Sequence, residues 1–167
     1  MAAQMKRKSD LLPESVRAAI DRECLKYPPE QKRSALLAAL RYTQEANGGW
    51  LTTELMDAVA DCLDLPPIAV YEVATFYTLY DLKPVGRHKI YVCTNISCML
   101  CGSSEILEHF KKRLGIEPGQ TTPDGRFTLK VAECLAACAG APCCQIGKIY
   151  HENLTPEKID EILRAYP

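Results

Sequence analysis

Two cysteine pairs, Cys93-x4-Cys98 and Cys134-x3-Cys138, constrain the fold of this 167-residue chain more than any other feature. Each gap is short enough for the backbone to loop around an ion or cluster with its amides turned toward the sulfurs. Two such pairs brought together by folding supply what a four-thiolate iron-sulfur site needs, because a 2Fe-2S cluster takes two thiolates on each iron. Structural zinc also accepts four thiolates, but its knuckles usually use C-x2-C pairs, and neither pair here has that spacing. The remaining alternative is a set of buried small hydrophobes or disulfides.

Compartment bears on that choice. No stretch approaches the roughly 18 consecutive apolar residues a spanning helix needs, and residues 1–10 lack the apolar run of a secretory signal. The expected location is therefore the cytoplasm, where thiols stay reduced and bind metals more readily than they pair. Apolar residues at 47% and charged residues at 25% describe a packed globular chain. A formal net charge of −1, with no basic arm beyond Lys6-Arg7-Lys8, argues against a nucleic-acid partner.

The pattern changes character at Pro84-Val85-Gly86, which gives three expected segments: a disordered tip over residues 1–11, a helical bundle over 12–83 and a cluster-bearing domain over 84–167. In the second segment apolar residues recur at helical spacing, as Val16, Ile20 and Cys24; Leu36, Leu37 and Leu40; Leu55, Val59 and Cys62; and Val70, Val73, Tyr77 and Tyr80. Pro28-Pro29, Gly48-Gly49 and Pro66-Pro67 separate these four helices. In the third, His88-Lys89-Ile90-Tyr91-Val92 predicts a strand running into Cys93. A helix over 101–114 follows, then strands over 127–132 and over 143–150 with a bend at Gly147. Thr155-Pro156 opens a final helix. The fold class is α+β, with both cysteine pairs just after strand ends, where such sheets carry their sites.

Five cysteines lie outside the two pairs. Cys24 and Cys62 sit on helical apolar faces and read as core. Cys98-Met99-Leu100-Cys101 is a C-x2-C that invites a dithiol redox reading, yet that reading leaves Cys93, Cys134 and Cys138 without a role. Cys101 is read instead as a packing residue one helical turn from Cys98. Cys143 and Cys144 alternate along a strand, so one faces the core and the other the opposite side. His88, His109 and His151 have no partner at ligand spacing and read as surface residues. Without a glycine-rich dinucleotide loop or phosphate loop, the chain is not expected to bind NADH or FMN alone.

Several segments taken in order carry a family resemblance: Val70-Tyr71-Glu72-Val73-Ala74-Thr75-Phe76-Tyr77, Pro84-Val85-Gly86, Cys93-Thr94-Asn95-Ile96-Ser97-Cys98, Glu133-Cys134-Leu135 through Cys138, and Gly140-Ala141-Pro142. In these the chain resembles the small iron-sulfur subunit of bacterial NADH:quinone oxidoreductase, respiratory complex I, and the related subunits of NAD-linked hydrogenases and formate dehydrogenases. The resemblance covers nearly all of the chain after about Leu12. It implies a helical N-terminal domain, a thioredoxin-like C-terminal domain, and one 2Fe-2S cluster held by Cys93, Cys98, Cys134 and Cys138. It also implies a larger partner subunit that binds NADH and FMN, further subunits, and a place in a peripheral arm on the cytoplasmic side of the inner membrane, without direct membrane contact. The equivalent subunit of a hydrogenase or formate dehydrogenase is the alternative, and a zinc-stabilised interaction module a further one. Cys101 and Cys143-Cys144 depart from the family pattern.

Two expectations attach to this reading. Amides of the 94–97 and 135–137 loops, with the positive end of a helix beginning near Cys98, should stabilise the reduced, more negative cluster. The helix over 70–80, with Tyr71, Phe76, Tyr77 and Tyr80, should supply aromatic anchors for the flavin-bearing partner.

Overall fold

The computed structural model describes residues 8–167, which form two compact units divided between Pro84 and Val85. The first unit is helical. Lys8–Leu11 is a 3-10 turn, so only residues 1–7 of the expected disordered tip lie outside the described residues. The turn is tied down where the Ser9 amide donates to the Asp61 carboxylate at 2.9 Å.

Four helices follow: α1 Glu14–Cys24, α2 Leu36–Ala46, α3 Thr53–Leu63 and α4 Pro67–Phe76. Thr52 caps α3 by accepting from the Leu55 amide at 3.2 Å, and Pro67 opens α4, where its missing N–H costs nothing. Ile20, Leu40, Leu51, Val59, Leu63 and Val70 are fully buried among these helices. Cys24 and Cys62 pack against that core but are only half-buried.

The last predicted helix was expected to run to Tyr80, but α4 ends at Phe76, with Tyr77 in an extended conformation. The cause lies on α2. The buried Gln44 amide donates to the Leu79 carbonyl at 3.1 Å and accepts from the Asp81 amide at 2.7 Å, which gives this stretch partners outside any helix. Tyr80 adds a hydrogen bond from its hydroxyl to the Leu37 carbonyl at 2.7 Å while its ring is buried.

The second unit is a four-stranded sheet of order β2-β1-β3-β4, with β1 His88–Cys93, β2 Phe127–Ala132, β3 Cys144–Ile146 and β4 Ile149–His151. β1 runs parallel to β2 and antiparallel to β3. Where one strand over 143–150 was expected, β3 and β4 form a hairpin turning at Gly147, whose φ of 60° glycine adopts at little cost. The helix expected over 101–114 is α6 Ser103–Leu114, and a separate short helix, α5 Ile96–Leu100, precedes it, the two divided at Gly102 with φ 88°. Helix α7, Pro156–Ala165, is capped by Thr155, which accepts from the Lys158 amide at 3.3 Å. Ile90, Val92, Phe110, Leu129, Ile146 and Ile159 make the core where α6 and α7 meet the sheet. No described helix is long and apolar enough to cross a membrane.

Gly86 packs against the start of β2. Its amide donates to the Thr128 hydroxyl at 2.6 Å, and a Cβ there would meet the Phe127 carbonyl carbon at 2.8 Å and its nitrogen at 2.9 Å. Backbone at that range cannot rotate away, so Gly86→Ala is expected to cost about 1–3 kcal/mol, the usual range for overpacking. Urea denaturation measures it, and an unchanged midpoint would show that the Gly86 segment moves freely from β2.

Candidate iron-sulfur site

The site lies at the C-terminal ends of β1 and β2. Parallel pairing sets Cys93 opposite Ala132, and the Thr94 amide donates to the Ala132 carbonyl at 3.1 Å, so both cysteine-bearing loops leave the sheet from one edge. Asn95 then accepts from the Ile96 amide at 2.7 Å and starts α5, which places Cys98 in its first turn. On the other side of β1, the Cys93 amide donates to the Cys143 carbonyl at 3.1 Å and carries the β1–β3 pairing one residue further.

Three sulfurs meet here. Cys93, Cys98 and Cys143 are buried, with all three Sγ atoms within 4.8 Å of one another and the Cys98–Cys143 pair at 3.8 Å. Leu135, Ala137 and Ala141 pack against them. Cys134 and Cys138 lie in the loop after β2, exposed and outside this tight group. The Ala136 amide donates to the Cys134 sulfur at 3.3 Å, with Ala136 in the left-handed region at φ 57°.

Electrostatics follow from burial set against amide donors. Burial pushes the Cys93 thiol up, but the amides of Asn95 and Leu135, with the Cys98 and Cys143 thiols, outweigh it and leave it below the ordinary thiol value. Cys98 is raised by burial and by its hydrogen bond to Cys93, against a partial offset from the Cys143 amide. Cys143 is pushed up to about 12, first by burial and then by its contact with Cys98. The 94–97 and 135–137 loops therefore aim amides at sulfur, as expected. The helix contribution differs from expectation. α5 begins at Ile96 and has only five residues, too few peptide dipoles for a sizeable macrodipole.

The other thiols and imidazoles stay apart. Cys101 is the exposed C-cap of α5 and lies outside the group. His109 bonds Asp160 at 3.0 Å, His88 the Pro167 carbonyl at 3.2 Å, and His151 the Tyr166 hydroxyl at 3.1 Å. Cys143 is the residue that sequence reasoning left as a strand position. The only available signal was its alternation with Cys144, which sends Cys144 into the sheet core and Cys143 to the sulfur pocket.

Three clustered thiols at the sheet edge, with Cys134 and Cys138 on the loop that leaves β2, amides facing sulfur and an apolar wall, suit a thiolate-bound iron-sulfur cluster. A family profile for thioredoxin-like 2Fe-2S ferredoxins matches residues 20–167. The chain belongs to that family, and cysteine ligands for its cluster are present. Among relatives, the E-type subunit of the NADH-quinone oxidoreductase of Rickettsia bellii (strain RML369-C) is 49% identical over 138 residues, covering 83% of this chain and 83% of its own. The second E-type subunit of the NADH-quinone oxidoreductases of Rhizobium meliloti (strain 1021) is 43% identical over 152 residues, covering 91% and 89%. The fold is also that of part of an NAD+-reducing NiFe hydrogenase in the air-oxidised state, with TM-score 0.67 and 24% identity. The match covers 77% of this chain and 22% of the hydrogenase chain.

Cys144 gives a pH test. Burial raises its thiol to about 12 from an ordinary 9.0. The unfolded chain releases this proton first, so the contribution to stability is complete below about pH 9 and is lost as pH rises toward 12. Cys144→Val is therefore expected to lose less stability than the parent between about pH 8 and about pH 10, measured by urea denaturation of cluster-free protein. Parallel losses in the two proteins would show that Cys144 does not titrate with folding.

Proposed function

We propose that this chain is the electron-transfer subunit of an NADH:quinone oxidoreductase, holding one 2Fe-2S cluster through Cys93, Cys98, Cys134 and Cys138. The observation that carries the reading is the parallel pairing of β1 and β2, which sends both cysteine pairs out from the same sheet edge with amides facing sulfur. The relatives' names and the coverage of most of both chains support it. When bound, the cluster supplies one-electron chemistry, exchanging single electrons with the FMN of a larger NADH-binding partner.

The chain's own part is to hold and tune. Cys93 and Cys98 clamp one side from buried positions, and Cys134 and Cys138 complete the set from the loop after β2. Amides of Asn95 and Leu135 toward Cys93, and of Ala136 toward Cys134, offset the negative charge that thiolates and an added electron bring. Leu135, Ala137 and Ala141 keep water from the buried pair. Ile96, Met99 and Leu100 stand exposed on α5 beside Cys98, an apolar rim suited to a covering subunit. In this role the subunit sits in the cytoplasmic arm of the complex, reaching the membrane only through its partners.

Serine in place of any of the four cysteines is expected to bleach or strongly alter the visible spectrum and the electron paramagnetic resonance signal of dithionite-reduced protein. Cys24→Ser and Cys62→Ser are expected to leave both unchanged. A parental spectrum from Cys134→Ser would remove that residue from the ligand set.

The helical unit is proposed to dock the flavin-bearing subunit, with a narrower anchor than the sequence suggested. Tyr71 is engaged through its hydroxyl with Asp57 and Tyr80 is buried, so neither is a free anchor. Phe76, 76% exposed, meets Tyr77 edge-on at 5.0 Å between ring centroids, with Ile68, Leu79 and Leu82 also exposed in this unit. Phe76→Ala with Tyr77→Ala is expected to weaken co-purification with the partner by about tenfold or more, the scale of an aromatic hot spot, with cluster content unchanged. Undiminished co-purification would place the contact elsewhere.

A further inference from the structure

Cys143 turns the Cys93–Cys98 pair into a three-thiol pocket that two-by-two ligation of a 2Fe-2S cluster does not use. All three Sγ atoms lie within 4.8 Å of one another, and this is the one such group of three or more histidine, cysteine or carboxylate residues among the described residues. At metal–sulfur bonds of about 2.3 Å, a three-coordinate ion holds its sulfurs about 4.0 Å apart. The 3.8 Å between Cys98 and Cys143 fits that spacing, and small rotations bring the rest of the triangle to it.

We propose that, in chains not carrying a cluster, Cys93, Cys98 and Cys143 bind one monovalent copper ion as a three-thiolate site, and that this ion blocks cluster assembly. Thiolates select soft ions. The group itself holds three sulfurs and no carboxylate or imidazole, and the exposed Cys134 and Cys138 lie outside it, so the clustered donors match three-coordinate copper(I) and fall one short of the tetrahedral shell that zinc prefers. Amides already face two of the three sulfurs, those of Asn95 and Leu135 at Cys93 and that of Cys143 at Cys98, while the Cys143 thiol gives up its proton only as the metal–sulfur bond forms. Leu135, Ala137 and Ala141 exclude water, and Cys144 in the sheet core pins its neighbour Cys143 in place. Binding releases three thiol protons to solvent and forms three Cu–S bonds. Copper enters and stays as copper(I), so no electron changes hands. Blocking follows because two of the three thiolates are ones that the proposed cluster requires.

The test uses the full cluster-free chain under anaerobic reducing conditions, titrated with copper(I) against a chromophoric copper(I) chelator. One ion per chain is expected, with three sulfur neighbours by X-ray absorption. Cys143→Ala and Cys143→Val, checked for fold by circular dichroism, are expected to bind copper about tenfold or more weakly with two sulfur neighbours, as loss of one of three donors requires. Cys134→Ala and Cys138→Ala should bind as the parent does. Copper-loaded parent should resist cluster reconstitution, and copper-treated Cys143→Val should accept it. Parental copper affinity in both Cys143 variants, or weakened binding in Cys134→Ala or Cys138→Ala, overturns the proposal. Cluster reconstitution of copper-free Cys143→Val reports separately on the four-ligand reading, because that reading requires it to proceed normally.

Discussion

The parallel ladder between β1 and β2 is the constraint on which the rest of this site depends. Parallel strands require a crossover, and here the chain between them supplies α5, α6 and the turns that lead into β2. Both strands therefore finish on the same side of the sheet, in register to the last residue, Cys93 beside Ala132. An antiparallel pairing would send the two cysteine-bearing loops to opposite ends. Register matters as much as direction, since a slip of one residue would turn Ile90 and Val92 out of the core and Cys93 away from its neighbours.

Much of this was legible because the signals were local. β-branched and aromatic residues at 88–92 announced β1, the run at 127–132 announced β2, and Thr155-Pro156 announced α7, each through chemistry within a few residues of its effect. What escaped depended on distant partners or on small competing costs. Gln44 lies 35 residues from Leu79, and no helical period in the 70–80 segment could show that it would hold that backbone out of a helix. The separate α5 has too few residues to show an apolar period, and Gly102 gave no firm break because a glycine costs a helix only about 1 kcal/mol. The part of Cys143 was hidden for a further reason. Alternation says that neighbouring strand residues face opposite ways, but only the β1–β3 register decides which of Cys143 and Cys144 meets Cys93.

The two adjacent cysteines show how position sets thiol chemistry. Cys144 lies among Ile90, Val92 and Ile146, where burial raises its proton affinity and nothing offers a counter-donor beyond the weak pull of Lys158. It is a small hydrophobe there. Cys93 is nearly as buried, yet amides from Asn95 and Leu135, together with the Cys98 and Cys143 thiols, reverse the sign of the shift. Hydrogen bonds to an anionic sulfur gain strength in a low dielectric, so the burial that penalises a bare thiolate also rewards each amide that reaches it. Loops built around a sheet edge can supply such amides because their N–H groups are not consumed by the ladder.

That balance differs across the two pairs. Cys93 and Cys98 sit behind apolar side chains, while Cys134 and Cys138 face solvent, where water screens charge and amide donors count for less. The free chain therefore controls the electrostatics of one pair and leaves the other partly to its surroundings. Ile96, Met99 and Leu100 beside Cys98 are apolar surface that water leaves uncompensated, with Leu100 78% exposed. In the proposed role, a subunit covering this rim would also reduce the solvent around the exposed pair, strengthening the Ala136 amide's hold on Cys134 as it does so. In that role assembly and tuning of the site would be coupled, because the exposed rim lies next to the sulfurs whose environment a covering subunit would complete.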